Sequence, residues 1–162
     1  MPNLKINFYL KIIFLISLIS FFSAFFIEYA LGYQPCNLCL IERIPYGLSI
    51  ILIILNYLLR KNEQFIIMLL ILIFSFSFIL SFYHFGIEQG FFEESAVCGL
   101  KKTSEILSKE ELLNQLKIRT VSCKDVTFRI FGFSLTTFNI FISLILVIFL
   151  IKIFKNYEKF KK

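Results

Sequence analysis

Four cysteines are the residues of this chain whose chemistry and spacing are most informative. Cys36 and Cys39 form a Cys-x-x-Cys pair, whereas Cys98 and Cys123 lie 25 residues apart. A Cys-x-x-Cys pair can bind zinc, attach haem or exchange disulfides. Haem attachment needs His directly after the second cysteine, where this chain has Leu40, and structural zinc sites usually combine two such pairs. The spacing therefore favours a redox dithiol, and we expect no metal site.

The residues around the first pair favour a reactive thiolate. Pro35 disfavours helix at Gln34, so a helix is expected to begin close to the cysteines. Free N–H groups and the positive dipole end at a helix start stabilise a thiolate, the reactive form of cysteine. Arg43 follows Cys39 by four residues and shares a helix face with it, so we expect it to stabilise a Cys39 thiolate and to polarise an acceptor's carbonyl oxygen. Interfacial anchoring is the alternative role for Arg43.

The composition predicts the elements that position these cysteines. The chain has 162 residues, of which 58% are hydrophobic and 17% charged, whereas soluble domains are about 45–50% apolar and about 25% charged. This excludes a disordered chain and argues against a small soluble enzyme. Long uncharged runs instead predict an all-α membrane protein, a four-helix transmembrane bundle forming a single integral membrane domain over residues 1–162. We expect the spans at about 9–29, 41–59, 65–84 and 131–152.

The distribution of charge predicts the orientation of these spans. The N-terminus, the turn at 60–64 and the C-terminal tail together carry nine basic and two acidic residues. The other two loops, at about 30–40 and 85–130, are close to neutral and contain all four cysteines. Positive residues favour the cytoplasmic side, so both termini are expected inside a bacterial inner membrane and both loops in the oxidising periplasm. The net charge of +6 therefore reflects membrane topology, and we expect no nucleic-acid partner.

The second loop is expected to carry a short amphipathic helix over about 109–118. Residues 108–111 have capping-box spacing, and apolar residues follow with roughly helical periodicity. Its apolar side is expected on the bilayer surface, with packing on the loop itself as the alternative. Cys98 lies in a small, uncluttered segment suited to pairing with an incoming thiol protein. A purely structural Cys98–Cys123 disulfide, worth roughly 3 kcal/mol for such a loop, is the competing interpretation.

Several stretches of the sequence resemble the disulfide bond formation protein B (DsbB) family. They are residues 35–43, residues 83–91 leading to Cys98, residues 123–126, residues 131–134, and Phe138 with Asn139. The resemblance extends over about residues 10–155, with four membrane helices in the same order. Phe92 and Phe138 stand where that family's pattern has tryptophan, and these departures leave the redox residues untouched.

The resemblance implies an enzyme, a thiol:quinone oxidoreductase that sustains protein disulfide formation by reoxidising a DsbA-like thioredoxin-fold oxidase of the periplasm. It implies that Cys98 forms the mixed disulfide with this partner and that Cys123 passes electrons through Cys36. Cys39 then delivers them to a quinone, either ubiquinone or menaquinone. DsbA has a potential of about −120 mV, so an ordinary disulfide cannot reoxidise it without a membrane electron acceptor.

Two further residues are expected beside Arg43 in the quinone site. His84 is the only histidine and lies where the third span ends, so it is placed to donate a hydrogen bond or a proton. Glu88, one helical turn later, is expected to orient His84 or to move protons. An ordinary interfacial histidine is the alternative for His84. The alternative for the whole chain is a membrane sensor or binding protein whose cysteines bind metal or form only structural disulfides.

Overall fold

A computed structural model describes residues 4–59, 63–94, 97–98, 122–124, 128–130 and 132–157. Its elements run in the order α1 (Leu4–Tyr29), α2 (Asn37–Ile41), α3 (Ile44–Leu59), α4 (Glu63–Glu88), β1 (Arg129–Ile130), β2 (Phe133–Ser134) and α5 (Leu135–Lys155). The two strands form an antiparallel hairpin that pairs Arg129 with Ser134. The short helix α2 leads almost directly into α3, so these two helices serve as one membrane element.

Within the described ranges, four helical stretches are long and apolar enough to cross a membrane. They are Ile6–Tyr29, Asn37–Leu58, Glu63–Glu88 and Leu135–Lys155. The predicted all-α, four-helix membrane fold is therefore confirmed. Large apolar side chains such as Leu15, Ile79 and Ile145 remain exposed on the outer faces of the helices. Lipid tails would cover such surfaces, which water would not tolerate over so large an area.

The observed helices differ from the predicted spans near the cysteines. Helix α4 continues to Glu88 rather than ending near residue 84. Helix α5 begins at Leu135 instead of near residue 131, because Ser134 caps it by accepting the N–H of Thr137. The hairpin precedes it, with Gly132 at φ +86°. Short apolar strands cannot be distinguished from the start of an apolar helix by hydrophobicity. The amphipathic helix predicted over 109–118 lies outside the described residues.

Two buried clusters organise the described part of the chain. The larger one lies between the membrane helices and includes Leu70 and Phe74 of α4 and Leu146 of α5. The smaller one joins Cys36, Leu38, Ile87, Cys98 and Cys123. Since α2 and the end of α4 both contribute to the smaller cluster, the cysteines are packed onto the end of the helical bundle.

The chain reverses direction where α4 ends. Gly90 has φ +79°, and the backbone N–H groups of Phe91 and Phe92 donate to the carbonyl oxygen of Gly86 at 2.8 and 3.1 Å. The Phe92 ring occupies the space that a Cβ on Gly86 would need, and it stacks on Tyr83 with ring centroids 5.6 Å apart. Glycine at position 86 thus permits the close approach that folds the loop back over the helix.

Candidate redox site

Cys36 and Cys39, which we call the inner pair, lie at the start of α2. Cys36 is the N-cap residue, and its Sγ accepts the backbone N–H of Cys39 at 3.2 Å. Both thiols are free, and their sulfur atoms lie 2.6 Å apart. The helix begins at Asn37, close to Pro35, as the sequence predicts. The two sulfurs are therefore close enough to form a disulfide after a small movement.

The surroundings of Cys36 favour its thiolate. The hydrogen bond from the Cys39 thiol is the main cause that lowers the pKa of Cys36 to about 5. Burial opposes this shift, while a hydrogen bond and the charge of His84 add to it. The sequence-based expectation assigned the stabilised thiolate to Cys39, but in the reduced pair these contacts stabilise it at Cys36.

His84 connects the inner pair to two buried polar groups. Its Nε2 lies 3.5 Å from Cys36 Sγ, and its Nδ1 lies 2.9 Å from Glu42 Oε1. The other Glu42 oxygen accepts a hydrogen bond from Asn139 Nδ2 at 2.9 Å. His84 is only 1% exposed and Glu42 only 8%. A thiol, an imidazole and a carboxylate are thus aligned, and such an alignment can activate a cysteine as a nucleophile.

Glu88 lies on the other side of the His84 ring. Its Oε1 accepts the Thr136 hydroxyl at 2.6 Å and lies 3.9 Å from His84 Nε2. The side chain is 6% exposed. Its Oε2 is buried without a hydrogen-bond partner in the part of the chain that the structure describes. Buried polar atoms normally have a partner, so this oxygen is an acceptor available to a ligand.

Polar contacts continue from Glu42 into the bundle. Asn139 donates to Ser81 Oγ at 2.7 Å and accepts the Tyr46 hydroxyl, and the Ser77 and Ser143 hydroxyls lie 3.1 Å apart. These side chains come from α3, α4 and α5. A satisfied polar network inside a membrane bundle fixes the relative register of its helices, because slippage would leave polar groups unpaired.

Arg43 is held against α1. Its guanidinium pairs with the Glu28 carboxylate and lies over the Phe25 ring, 5.0 Å from the ring centroid. Guanidinium has five N–H donors, so the pair with Glu28 leaves donors for another acceptor. Arg43 and Cys39 also line the same cavity, which keeps Arg43 within the site.

Cys98 and Cys123, which we call the outer pair, form a disulfide with their Cα atoms 5.4 Å apart. Both are only 2% exposed and pack in one cluster with Cys36. Asn37 Nδ2 donates to the carbonyl oxygen of Val97 at 2.8 Å, which ties the outer pair to α2. Cys98, which the sequence predicts to lie in an uncluttered segment, is thus itself packed in the cluster of the inner pair.

Glu94 holds the residues on either side of Cys123. It accepts the Ser122 hydroxyl and the backbone N–H of Lys124, the latter at 3.2 Å. Both chain segments that flank the outer disulfide are therefore fixed by one polar side chain each.

A cavity of about 190 Å³ lies between the cysteine pairs and the ends of the helices. Its apolar walls include Phe21, Ile27, Phe138 and Ile142. Six residues predicted for the site line this cavity, namely Cys36, Cys39, Arg43, His84, Glu88 and Cys123. Cys98 does not line this cavity but is bonded to Cys123, which does.

Three further site residues were missed by sequence reasoning. Glu42 was treated only as the neighbour of Arg43, and Thr136 and Asn139 lie within the long uncharged run of the last span. Polar or ionisable residues inside membrane segments are functional candidates by default, and this signal would have found all three.

Comparison with known proteins places these residues in context. The family model described as "Disulfide bond formation protein DsbB" matches residues 7–153. An uncharacterized protein of Rickettsia prowazekii (strain Madrid E) is 31% identical over 137 residues, which are 83% of this chain and 80% of that protein. No solved structure matches the chain significantly. The region matched by the family contains both cysteine pairs and every residue predicted for the site.

Proposed function

The chain belongs to the DsbB family of disulfide bond formation proteins, and we propose that it reoxidises a periplasmic DsbA-like thiol oxidase and passes the electrons to a membrane quinone. Membership of the family makes the chain a membrane oxidoreductase of disulfide formation. The transfer of electrons from the partner to quinone is supported by one observation. The outer disulfide packs against the inner dithiol, beside a cavity lined by Cys36, Cys39 and Cys123. A disulfide with a purely structural role has no need of a neighbouring free dithiol.

Electrons enter at the outer pair. The partner's dithiol attacks the Cys98–Cys123 disulfide and forms a mixed disulfide with Cys98, which releases Cys123 as a thiolate. Cys123 then attacks the oxidised inner pair at Cys36, and the leaving sulfur is that of Cys39. The second thiol of the partner displaces Cys98, which releases the partner as a disulfide. Cys98 then attacks the Cys36–Cys123 bond, which forms the outer disulfide again and frees the thiol of Cys36. The shared buried cluster supports this order, since Cys123 and Cys36 already lie in it together. Cys98 is only 2% exposed, so its side chain must become accessible before the partner can react with it.

The cavity has the chemistry that a quinone ring requires. Binding pockets for drug-sized ligands have volumes of about 300–1,000 Å³. The cavity of about 190 Å³ is smaller than these pockets, so it would hold only the quinone ring, and the isoprenoid tail would stay in lipid. Arg43 would donate to a carbonyl oxygen of a bound quinone, and Glu88 Oε2, which has no partner among the described residues, would accept from a hydroxyl of the ring. When bound, a quinone accepts two electrons and two protons.

His84 manages the proton of the inner pair. Its Nε2 takes the proton of the Cys36 thiol, so that Cys36 is a thiolate when the disulfide with Cys39 forms again. The carboxylate of Glu42 orients the ring and stabilises its charged form, as the 2.9 Å contact with Nδ1 allows. Cys39, next to Arg43 at the cavity, is the thiol that delivers the electrons.

The protein is proposed to lie in a bacterial inner membrane with both termini in the cytoplasm and both loops in the periplasm. Two observations support this orientation: the termini are rich in basic residues, and the two cysteine pairs pack together, which requires both loops to be on one side. The periplasm is the compartment in which disulfides persist.

The test combines purified protein, a reduced DsbA-like partner and a soluble quinone. Cys39→Ser is expected to abolish quinone reduction and Arg43→Ala to reduce it strongly, whereas Arg129→Ala, which removes an exposed arginine of β1, serves as the matched control. If Cys39→Ser and Arg43→Ala leave turnover unchanged, the proposed quinone site is wrong. Trapping of the partner on Cys98 in a Cys123→Ala variant tests the outer pair separately.

A further inference from the structure

We infer that the reduced inner pair, together with His84 and Glu88, forms a binding site for a soft divalent cation such as Zn²⁺, and that this site exists only while the pair is reduced. The inference rests on the proposed function only for the cycling of Cys36 and Cys39 between dithiol and disulfide. A bound cation blocks that cycle, so the site makes the enzyme sensitive to metal in one redox state.

Three donor atoms already lie close together. Cys36 Sγ, Cys39 Sγ and His84 Nε2 are within 4.8 Å of one another. The 3.5 Å between Cys36 Sγ and His84 Nε2 is the separation expected in a tetrahedral site with Zn–S bonds of about 2.3 Å and Zn–N bonds of about 2.0–2.1 Å. The sulfurs, 2.6 Å apart, must separate by roughly 1 Å, which rotation of the side chains provides. Thiolate and imidazole are donors that zinc prefers.

Glu88 lies just outside this group of three donors and would become the fourth donor by moving toward the sulfurs. Its carboxylate approaches His84 Nε2 to 3.9 Å, and its Oε2 has no partner within the described residues. An uncompensated buried carboxylate oxygen is costly, and a cation at this point would satisfy it. The other oxygen stays with the Thr136 hydroxyl at 2.6 Å, which holds the carboxylate in place.

The groups behind the donors match those that support metal ligands in other proteins. A histidine ligand normally donates its second ring N–H to a carboxylate or a carbonyl group. Here Glu42 Oε1 lies 2.9 Å from His84 Nδ1, which directs the lone pair of Nε2 toward the sulfurs. Asn139 fixes the other oxygen of Glu42 at 2.9 Å. The sequence offered no second Cys-x-x-Cys for a zinc site, and folding supplies His84 and Glu88 instead.

The redox state controls this site. Formation of the Cys36–Cys39 disulfide oxidises both sulfurs and removes two of the four donors, so the oxidised protein loses the cation. Binding to the reduced protein displaces the two thiol protons and occupies the sulfur lone pairs. The cation therefore prevents thiol exchange at Cys36 and electron delivery from Cys39 until it dissociates.

Cobalt(II) is the probe for the site, because its absorption reports tetrahedral thiolate coordination. The full chain carrying Cys98→Ser and Cys123→Ser, which removes the outer thiols, is titrated with Co²⁺ in both redox states, and Zn²⁺ is then added to displace it. We expect one Co²⁺ per reduced chain, displaced by Zn²⁺, and none per oxidised chain. Glu42→Gln is expected to weaken binding by about 10–100-fold, as loss of a group that orients a ligand does elsewhere.

His84→Ala and Glu88→Gln remove ligands and are expected to weaken binding at least as much. Glu28→Gln is the matched control, since Glu28 borders the same cavity but pairs with Arg43. The Co²⁺ affinity of this variant is expected to equal that of the parent protein. If His84→Ala prevents folding, Glu42→Gln and Cys36→Ser carry the test. Equal binding in both redox states, or affinity unchanged by these ligand and Glu42 substitutions, overturns the site.

A second measurement separates the failure of this site from the failure of the proposed function. Quinone-dependent turnover of the protein with all four cysteines is measured with and without Zn²⁺. Zn²⁺ is expected to lower this turnover, because the bound cation prevents electron delivery from Cys39. Normal turnover without a thiolate–cobalt spectrum in the reduced protein overturns the metal site and leaves the proposed function standing. A normal cobalt spectrum in a protein that reduces no quinone contradicts the proposed function and supports the metal site.

Discussion

The inner and outer cysteine pairs lie in one buried cluster but are controlled in different ways. The free thiols of the inner pair lie beside His84 of α4, which contacts Glu42, and Asn139 of α5 holds Glu42 in turn. The outer pair is bonded to itself, and its segments are held by Asn37 and Glu94. The difference teaches that helix packing sets the environment of the inner thiols, whereas the outer pair is set by its own bond and, under the proposed function, by the partner that breaks that bond.

The largest expected effect separates the two pairs. Cys36→Ser is expected to reduce quinone-dependent turnover to the uncatalysed background with every electron donor, because no disulfide can form in the inner pair. The double variant Cys98→Ser, Cys123→Ser should lose turnover with a protein partner but keep it with a small dithiol such as dithiothreitol. Quinone absorbance measures both reactions. Loss of the dithiothreitol reaction in the double variant would show that the two pairs do not act separately.

Removal of His84 should come next in size and should affect only the inner pair. A positioned general base contributes about 10²–10⁴-fold, so His84→Ala is expected to slow the inner-pair reaction with dithiothreitol by that factor. The rate at which the partner forms a trapped mixed disulfide on Cys98 should not change. Stopped-flow quinone absorbance and gel analysis of the trapped complex measure the two rates.

Gln89→Ala is the control for this variant, because Gln89 is exposed just beyond the end of α4. It should leave both rates at the parental value. An equal slowing of both reactions by His84→Ala would mean that the histidine supports the general fold rather than the chemistry of Cys36.

The sequence predicted the membrane helices better than the environment of the cysteines. Four long apolar runs fix the number of spans, since each has the length and composition that a bilayer requires. The hairpin formed by Arg129–Ile130 and Phe133–Ser134 was missed because Ile130 and Phe133 extend the apolar run of the helix that follows. A helix start near the cysteines was predicted from Pro35, which disfavours helix for the residue before it, and α2 begins at Asn37.

The candidate site was predictable by residue type but not by contact. Cys36, Cys39, Arg43, His84 and Glu88 were identified from spacing and family resemblance, and all of them line one cavity. The pairing of Arg43 with Glu28 and of His84 with Glu42 joins residues 15 and 42 positions apart. Such contacts depend on how helices rotate against each other, and the weak amphipathicity of membrane helices leaves this rotation undetermined in a single sequence.

The pH dependence of the inner pair is expected to be a smaller effect. The pKa of Cys36 is lowered to about 5, so its thiolate predominates above that pH and is lost as the pH falls through it. At about pH 4 the thiolate fraction should be roughly tenfold below its neutral value. Thiolate ultraviolet absorbance measures this in the reduced Cys98→Ser, Cys123→Ser protein with a chelator present.

Cys39→Ala removes the main cause of this shift and should move the transition toward the ordinary thiol value of about 8.5. Cys39→Ser keeps a hydroxyl donor and should move it less. A transition that stays near pH 5 in Cys39→Ala would assign the low pKa of Cys36 to His84 instead of the neighbouring thiol.

The smallest expected effect concerns the contact that joins the two pairs. Asn37→Ala removes the hydrogen bond to the carbonyl oxygen of Val97, 2.8 Å long, and frees the segment of Cys98 from α2. A single hydrogen bond contributes about 0.5–1.5 kcal/mol, so electron transfer from the outer to the inner pair should slow by about 2–13-fold. Rapid-quench thiol trapping after mixing with reduced partner measures this step.

Two controls define what the Asn37 variant tests. Its reaction with dithiothreitol through the inner pair should remain parental, because that route does not use the outer pair. Asn156→Ala changes the same residue type at the C-cap of α5 and should leave both routes unchanged. Faster transfer in Asn37→Ala would mean that the contact restrains the outer pair, so that opening of the Cys98 segment limits entry of electrons. Slower transfer would mean that the contact holds the two pairs in the geometry that exchange requires.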